Sequence, residues 1–171
     1  SRLDTKGDVK LDAVNVGYQS NSIGDANNYF KQGESTDIGS QITSNNDILL
    51  TGNNISGTAA QISSTTGNVG ILADGNVNFI EGHSTNNLST ASKSKENNWY
   101  GSKRISQSVD FYEDNAYITN ISGNSVFIDS KNGNVSLIGS NAKASEEARV
   151  NAMNGKVTVQ SAVDKESLSS N

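Results

Sequence analysis

Acidic side chains are the groups in this chain with the clearest potential for acid–base chemistry. Asp110, Glu113 and Asp114 lie close together, whereas Asp129 and Glu81 have no evident acidic neighbour. Two carboxyl groups can hydrolyse a glycosidic bond when burial raises the pKa of one of them. Charged residues in a polar stretch are usually exposed to solvent, however. We therefore expect a solvated acidic surface here and no catalytic residues.

Sequence patterns for metal or cofactor binding are also absent. His83 is the only histidine, and its neighbours Glu81 and Ser84 do not complete a zinc site or a catalytic triad. Gly7-Asp8 and Asp74-Gly75 are isolated, so neither an EF-hand loop nor a calcium-binding nonapeptide repeat is present. We expect His83 to be an ordinary polar residue, and we expect no metal ion and no cofactor.

Basic and aromatic residues are concentrated between positions 89 and 112. Interleaved cations and rings can bind anionic glycans, single-stranded nucleic acid or a membrane interface. The alternation in Ser92–Lys95 and Ile105–Val109 also fits a hairpin that turns at Glu96–Asn98 and packs its rings on an apolar stripe. We favour the hairpin, which could hold a partner as well. The candidate partner-contact residues are Lys93, Lys95, Trp99, Tyr100, Lys103, Arg104, Phe111 and Tyr112.

A short recurring phrase indicates which elements position these residues. Gly or Asn, followed by Asn, Asp or Lys, precedes an alternating apolar run, as in Gly67-Asn68-Val69 and Gly133-Asn134-Val135. The phrase recurs from Asn46 to Gly67 and from Gly133 to Gly155, which gives a period of about 20 residues. Such a period, with turn residues before each apolar run, is typical of stacked coils.

Composition narrows the class of protein further. Of the 171 residues, 33% are hydrophobic, which is too few for a thick core but enough for a narrow core shared by thin layers. A net charge of −5 argues against electrostatic binding to nucleic acid. No run approaches the roughly 20 apolar residues of a membrane span, and no secretion leader is visible. Because the chain begins and ends within the repeating pattern, we expect it to be part of a longer protein.

The alternating runs predict short strands bounded by turn residues, as in Val9–Leu11, Val77–Phe79 and Val157–Val159. We predict an all-β fold, a right-handed parallel β-helix (a solenoid) with coils of about 20–22 residues. Proline, which a strand paired on both sides cannot accommodate, is absent. Ala142–Met153 has a helix-friendly composition, but its place between two copies of the phrase favours a coil.

Three segments interrupt the repeating pattern. They lie near 17–37, 82–117 and 161–171, and we interpret them as hairpin-like excursions outside the β-helix. Residues 1–171 are then a single β-helix segment.

One family shows a similar order of phrases. The resemblance is to the haemagglutinin repeat of filamentous haemagglutinins and contact-dependent growth inhibition exoproteins. The residues that carry it are, in order, Gly39–Ser44, Asn46-Asp47-Ile48, Gly57, Gly67-Asn68-Val69, Ala73-Asp74 and Asn76-Val77-Asn78. The Ser/Lys-rich stretch Ser89–Lys95, which leads to Trp99-Tyr100-Gly101, is similar to the segment that follows this repeat in the family. A partial second copy covers about 118–171, so the resemblance spans most of the chain.

The resemblance implies a large exoprotein that two-partner secretion exports to the cell surface of a Gram-negative bacterium. Its partners would be a protein or glycan of the target-cell surface or envelope and, for the full-length protein, an outer-membrane secretion partner. We expect a stalk-like, structural segment that is not an enzyme and that serves an adhesin or virulence role or contact-dependent toxin delivery. Nothing in the chain resembles the secretion domain or a toxin nuclease.

A competing interpretation is a β-helical enzyme acting on polysaccharide, or a glycan-binding module. Such a protein should have a cleft in which carboxylates or Arg and Lys side chains converge. A stalk should instead have flat polar faces.

Overall fold

Strands and turns account for the described part of the protein. A computed structural model describes residues 1–19, 23–25 and 27–170. No helix occurs in those ranges, so the predicted all-β class is confirmed. In chain order the strands are β1 (Arg2–Asp4), β2 (Val9–Leu11), β3 (Val14–Gln19), β4 (Ile23–Gly24), β5 (Tyr29–Ile38), β6 (Gln41–Ser44), β7 (Ile48–Gly52), β8 (Ile55–Thr58), β9 (Gln61–Ser64), β10 (Val69–Ala73), β11 (Val77–Ile80), β12 (Gly82–Asn98), β13 (Gly101–Tyr117), β14 (Thr119–Ser130), β15 (Val135–Ile138), β16 (Ser140–Ala152), β17 (Val157–Gln160) and β18 (Lys165–Ser170).

Two compact units make up the chain. The first unit is built from 1–14, 37–82 and 116–163, and the second from 15–36, 83–115 and 164–171. The expected excursions near 17–37, 82–117 and 161–171 include residues 20–22, 26 and 171, which lie outside the described residues. The description of 1–171 as a single β-helix segment stays a prediction.

Parallel pairing builds the first unit. Its seven-stranded sheet contains β1, β6, β7, β9, β10, β14 and β16, and its five-stranded sheet contains β2, β8, β11, β15 and β17. Strand β14 pairs with three strands. Asn120–Ser122 pairs with β9 and Val126–Ser130 with β10, and β16 pairs with β14 over most of its length. The chain passes through these sheets in a repeating order: β6-β7-β8, β9-β10-β11, β14-β15 and β16-β17.

In-register pairing stacks the apolar side chains of the first unit into columns. Ile48, Val69 and Val126 face one another in adjacent strands, and all three are buried. Ile55 and Val77 form the same kind of column in the five-stranded sheet. Each such side chain contributes about 1.5–3 kcal/mol when it leaves water. A second column in the seven-stranded sheet consists of Leu50, Ile71 and Ile128.

The turns before the strands of the five-stranded sheet are joined by what we call the amide ladder: Asp8, Asn54, Asn76, Asn134 and Lys156. The backbone N–H of Asn76 donates to Oδ1 of Asn54, and that of Asn134 donates to Oδ1 of Asn76, both at 2.8 Å. At the first end, Oδ1 of Asp8 accepts from the N–H of Asn54 at 3.1 Å. At the last end, the N–H of Lys156 lies 2.9 Å from Oδ1 of Asn134. Side-chain oxygens thus satisfy backbone donors in the turns.

Hydrogen bonds also fix the charge at the first end of the amide ladder. The side chain and the backbone N–H of Asn54 both donate to Asp8, and these bonds hold the pKa of Asp8 below its ordinary value. A second set of turns uses the same contact, since the N–H of Asn68 donates to Oδ1 of Asp47 at 2.7 Å. Ser125 extends that set by donating its N–H to Oδ1 of Asn68 at 3.0 Å.

Glycine is required beside the amide ladder because adjacent turns touch each other. A Cβ on Gly133 would lie 2.5 Å from the carbonyl carbon of Gly75, and a Cβ on Gly155 would lie 2.0 Å from the carbonyl oxygen of Gly133. The recurring phrase therefore combines a glycine for close approach, an amide for the ladder and an inward apolar residue. Gly7 is different, because the nearest atom to its Cβ position is Thr5 Oγ1 at 3.6 Å.

Antiparallel pairing builds the sheet of the second unit. Its strand order is β18-β13-β12-β5-β3, and β4 pairs with β5. Strand β12 pairs with β5 over Ser84–Ala91, and β13 pairs with β18 over Val109–Asp114. Strands β12 and β13 are neighbours, and only two residues, Trp99 and Tyr100, connect them. Such a short connection is possible only between antiparallel strands, so β12 and β13 form a hairpin.

The position of the hairpin turn differs from the prediction. Glu96–Asn98 was expected to turn the chain, but these residues are the last three of β12. The polar alternation that begins at Ser92 continues to Asn98, so it extends the strand. Gly101, with a φ of +157°, follows the turn and accommodates a backbone conformation that other residues rarely adopt.

A glycine substitution tests the contact between turns. Gly133→Ala should lower the free energy of unfolding by about 1–3 kcal/mol, because the new methyl group overlaps the neighbouring turn. The matched control Gly7→Ala should change it by less than about 0.5 kcal/mol, since its methyl group makes only an ordinary van der Waals contact with Thr5. Urea unfolding followed by far-UV circular dichroism measures both variants. Equal stability of the two variants would show that the turns do not touch.

Candidate functional site

The β12–β13 hairpin carries all eight candidate partner-contact residues, but the structure distributes them over separate places. Strand β12 contributes two, the turn two and β13 four, in the order Lys93, Lys95, Trp99, Tyr100, Lys103, Arg104, Phe111 and Tyr112.

The turn presents an aromatic pair to solvent. Trp99 is 95% exposed and Tyr100 is 75% exposed, and their ring centroids lie 5.4 Å apart in an edge-to-face arrangement. Large rings fully exposed to water are unfavourable unless another surface covers them, and Trp and Tyr are enriched where proteins meet partners. The turn is therefore a candidate contact point.

Three of the predicted cations line one depression, which we call the basic pocket. Lys93 and Lys95 from β12 and Arg104 from β13 surround a volume of about 480 Å³. Lys103, although it precedes Arg104, does not line this pocket. The remaining lining residues are Asn27, Asn28, Ser94, Ile105 and Ser106.

Phe111 and Tyr112 belong to a different depression. Its volume is about 380 Å³, and its lining includes Lys31 and Asp110. Phe111 pairs with Leu168 of β18 and is half-buried, whereas Tyr112 is exposed. These two rings lie outside the set of residues that lines the basic pocket.

His83 is joined to an acid that the sequence did not assign to it. Its Nδ1 lies 2.8 Å from Oδ1 of Asp114, whose side chain is almost completely buried. The two residues are 31 positions apart, so pairing between strands brings them together. The other two members of the predicted acidic group have separate partners. Ser89 donates to Asp110, and Asn115 donates to Glu113 at 2.9 Å.

The first unit contains a shallow trough of about 630 Å³ that the sequence analysis did not identify. Arg149 donates to Asp129 at 2.9 Å there and lies over the ring of Phe127, 5.2 Å from its centroid. The trough therefore meets part of the expectation for a carbohydrate-acting protein. Its charged lining residues are Asp4, Lys6, Asp74, Asp129, Lys131 and Arg149.

Two carboxylates of the trough, those of Asp4 and Asp129, are too far apart to act together as an acid–base pair. Asp4 pairs with Thr51, Thr51 with Leu72, and Leu72 with Asp129, so the two acids are three strand spacings apart. That separation is roughly 14 Å, whereas glycosidase carboxyl groups lie about 5–9.5 Å apart. A hydrogen bond from Thr51 and the charge of Arg2 lower the pKa of Asp4, which is the opposite of what a general acid needs.

Several apolar residues of the antiparallel sheet are exposed, which the sequence did not predict. Val16 and Tyr18 of β3, Phe30 of β5 and Leu168 of β18 are all exposed. The alternation Val14-Asn15-Val16 predicts a strand with one apolar face. It does not predict that this face stays in solvent.

Removing the histidine tests the pairing of His83 with Asp114. His83→Ala should lower the free energy of unfolding by about 1–3 kcal/mol, because a buried carboxylate loses a donor. His83→Asn should lose less, since its amide nitrogen can occupy the position of Nδ1. Urea unfolding at neutral pH compares the variants. If His83→Ala is as stable as the native chain, the pair makes no net contribution.

Comparison with known proteins identifies no relative of this chain. No family model matches it, and neither does any curated protein or solved structure. Within residues 1–19, 23–25 and 27–170, no cluster of three or more His, Cys, Asp or Glu side chains is placed to hold a metal ion. A helix long and apolar enough to cross a membrane is likewise not found in those ranges.

Proposed function

We propose that the first unit is a segment of a right-handed parallel β-helix and that its role is structural. The repeating order of strands supports this proposal, because each pass through the sheets adds one strand to every stack. The amide ladder is the strongest support for this proposal. It repeats one contact from turn to turn, as is expected of an architecture that builds length.

The biological setting we propose is a secreted, surface-attached exoprotein of a Gram-negative bacterium. In that setting the chain is a stalk-like, non-enzymatic segment that serves adhesion or contact-dependent toxin delivery. The resemblance to the haemagglutinin repeat supports the proposal, as does the exposed aromatic pair at the hairpin turn. Its partner would be a protein or glycan of the target-cell envelope, and an outer-membrane secretion partner would export the full-length protein.

Attachment to cell envelopes tests this function. The double variant Trp99→Ala/Tyr100→Ala should keep the far-UV spectrum and unfolding midpoint of the native chain but lose binding to envelope fractions. A loss of about 2 kcal/mol or more, which is roughly thirtyfold or more in affinity, is expected if the pair is the centre of the contact. The control Tyr117→Ala removes another exposed ring and should bind normally. Native-like binding by the double variant would rule out the hairpin turn as the contact point.

Binding of a polysaccharide in the trough of the first unit is a second candidate function. Arg149 supports it, because the guanidinium is held by Asp129 beside an aromatic ring. Asp4 and Asp129 are too far apart to cleave a glycosidic bond as a pair, so we propose binding.

A soluble polyuronate distinguishes this candidate from the structural role. Arg149→Ala should weaken binding of polygalacturonate about fivefold, as expected for one partly exposed ionic contact. Lys143→Ala should leave binding unchanged, because Lys143 lies on the same strand outside the trough. Release of reducing ends would show that the protein cleaves the polysaccharide. If polygalacturonate does not bind at all, this second candidate function is wrong.

A further inference from the structure

The lining of the basic pocket provides hydrogen-bond donors and no carboxylate. Its three cations are Lys93, Lys95 and Arg104, and among the described residues no acidic side chain lines it. None of the three forms an ion pair with any described residue. In a chain of net charge −5, a pocket of one sign is unusual. An anion entering the pocket would meet attraction from three sides.

The two asparagines of the pocket are oriented as donors. Oδ1 of Asn28 accepts from the backbone N–H of Lys93 at 2.8 Å, and Oδ1 of Asn27 accepts from Nζ of Lys93 at 3.0 Å. Because both amide oxygens are engaged, the Nδ2 groups are the donors that face other partners. The side chain of Asn28 also hydrogen-bonds Asp25, which leaves Asn28 one N–H for a ligand. The Lys93 ammonium, with one of its three donors used, has two more to offer.

The loop that carries these asparagines is held by its own hydrogen bonds. Oδ1 of Asp25 accepts from the backbone N–H groups of Asn27 and Asn28 at 2.7 and 2.9 Å. These bonds lower the pKa of Asp25, so its carboxylate is ionised and occupied by backbone donors. These bonds hold Asn27 and Asn28 in place before any ligand arrives, which reduces the entropy cost of binding.

We infer that the basic pocket binds a tetrahedral oxyanion, the phosphate or sulfate group of a glycan or lipid. The residues that contact it are Lys93, Lys95, Arg104, Asn27 and Asn28, with the hydroxyl of Ser106 as a further donor. A carboxylate offers about four lone-pair positions on its two oxygens, and these residues together have more donors than that. A phosphate group has three acceptor oxygens and a charge of about −1.5 to −2, which suits three cations better. This inference rests on the proposed function, because it names the ligand chemistry of the same hairpin.

Phosphate titration tests the site directly. Sodium phosphate is added to the ¹⁵N-labelled chain at pH 7, with sodium chloride adjusted to keep the ionic strength constant. The amide signals of Lys93 and Ser106 should shift and saturate, with a dissociation constant on the order of 1 mM. A shift that never saturates would overturn the inference.

Paired variants separate the pocket from general surface charge. Arg104→Gln should raise the dissociation constant about fivefold, as expected for one exposed charge contact. Lys103→Gln removes the same charge one residue away, outside the pocket, and should change it by less than about twofold. Asn28→Asp keeps the oxygen that Lys93 uses but replaces a donor with a negative charge, so it should abolish binding. Equal effects of the two cation variants would overturn the inference.

Two carriers of the same group identify the source of the ligand. Glucose 6-phosphate presents a sugar phosphate, and phosphatidylcholine vesicles containing phosphatidic acid present a lipid phosphate. Competition with inorganic phosphate by either carrier supports the site and names its carrier. Because the titration uses no cells, saturable phosphate binding can persist when envelope attachment fails, and the two proposals fail separately.

Discussion

Each turn beside the five-stranded sheet satisfies the backbone of the next turn through one side-chain oxygen, and the rest of the first unit follows from that contact. The bond requires the turns to approach so closely that the Gly133 position has no space for a Cβ. Turns at this separation hold the strands in register, so that Val77 lies opposite both Ile55 and Val135. The narrow apolar core is thus a consequence of the polar turns as well as of its own burial.

Much of the first unit could be predicted because its signals are local. The Gly-Asn-Val phrase, its period and the inward apolar residues occur within a few positions of one another, so the sequence predicts parallel strands. The hairpin turn was misplaced because Glu96–Asn98 is polar enough for a turn or a strand end. Gly101 and the pairing of β12 with β13 decide where the chain turns. That pairing joins residues far apart in the sequence, so no short stretch of sequence reveals it.

The candidate site was predicted as a list of residues but not as an arrangement. Composition could identify the basic and aromatic stretch, but it could not show that Arg104 lines the basic pocket and Lys103 does not. The pocket also uses Asn27 and Asn28, which lie far from Lys93 along the chain, and no sequence pattern links them to it. The partner of His83 was missed for the same reason, since only sheet pairing brings Asp114 to it.

The amide ladder makes the first unit tolerant of insertion. Asn54 and Asn76 are 22 residues apart, whereas Asn76 and Asn134 are 58 apart, yet both bonds measure 2.8 Å. The longer connection includes the whole of β12 and β13. Closing a longer loop costs only about 0.6 kcal/mol for each doubling of its length. A lineage of such proteins could therefore exchange one hairpin for another by recombination within this connection, while the ladder contacts of the first unit stay the same.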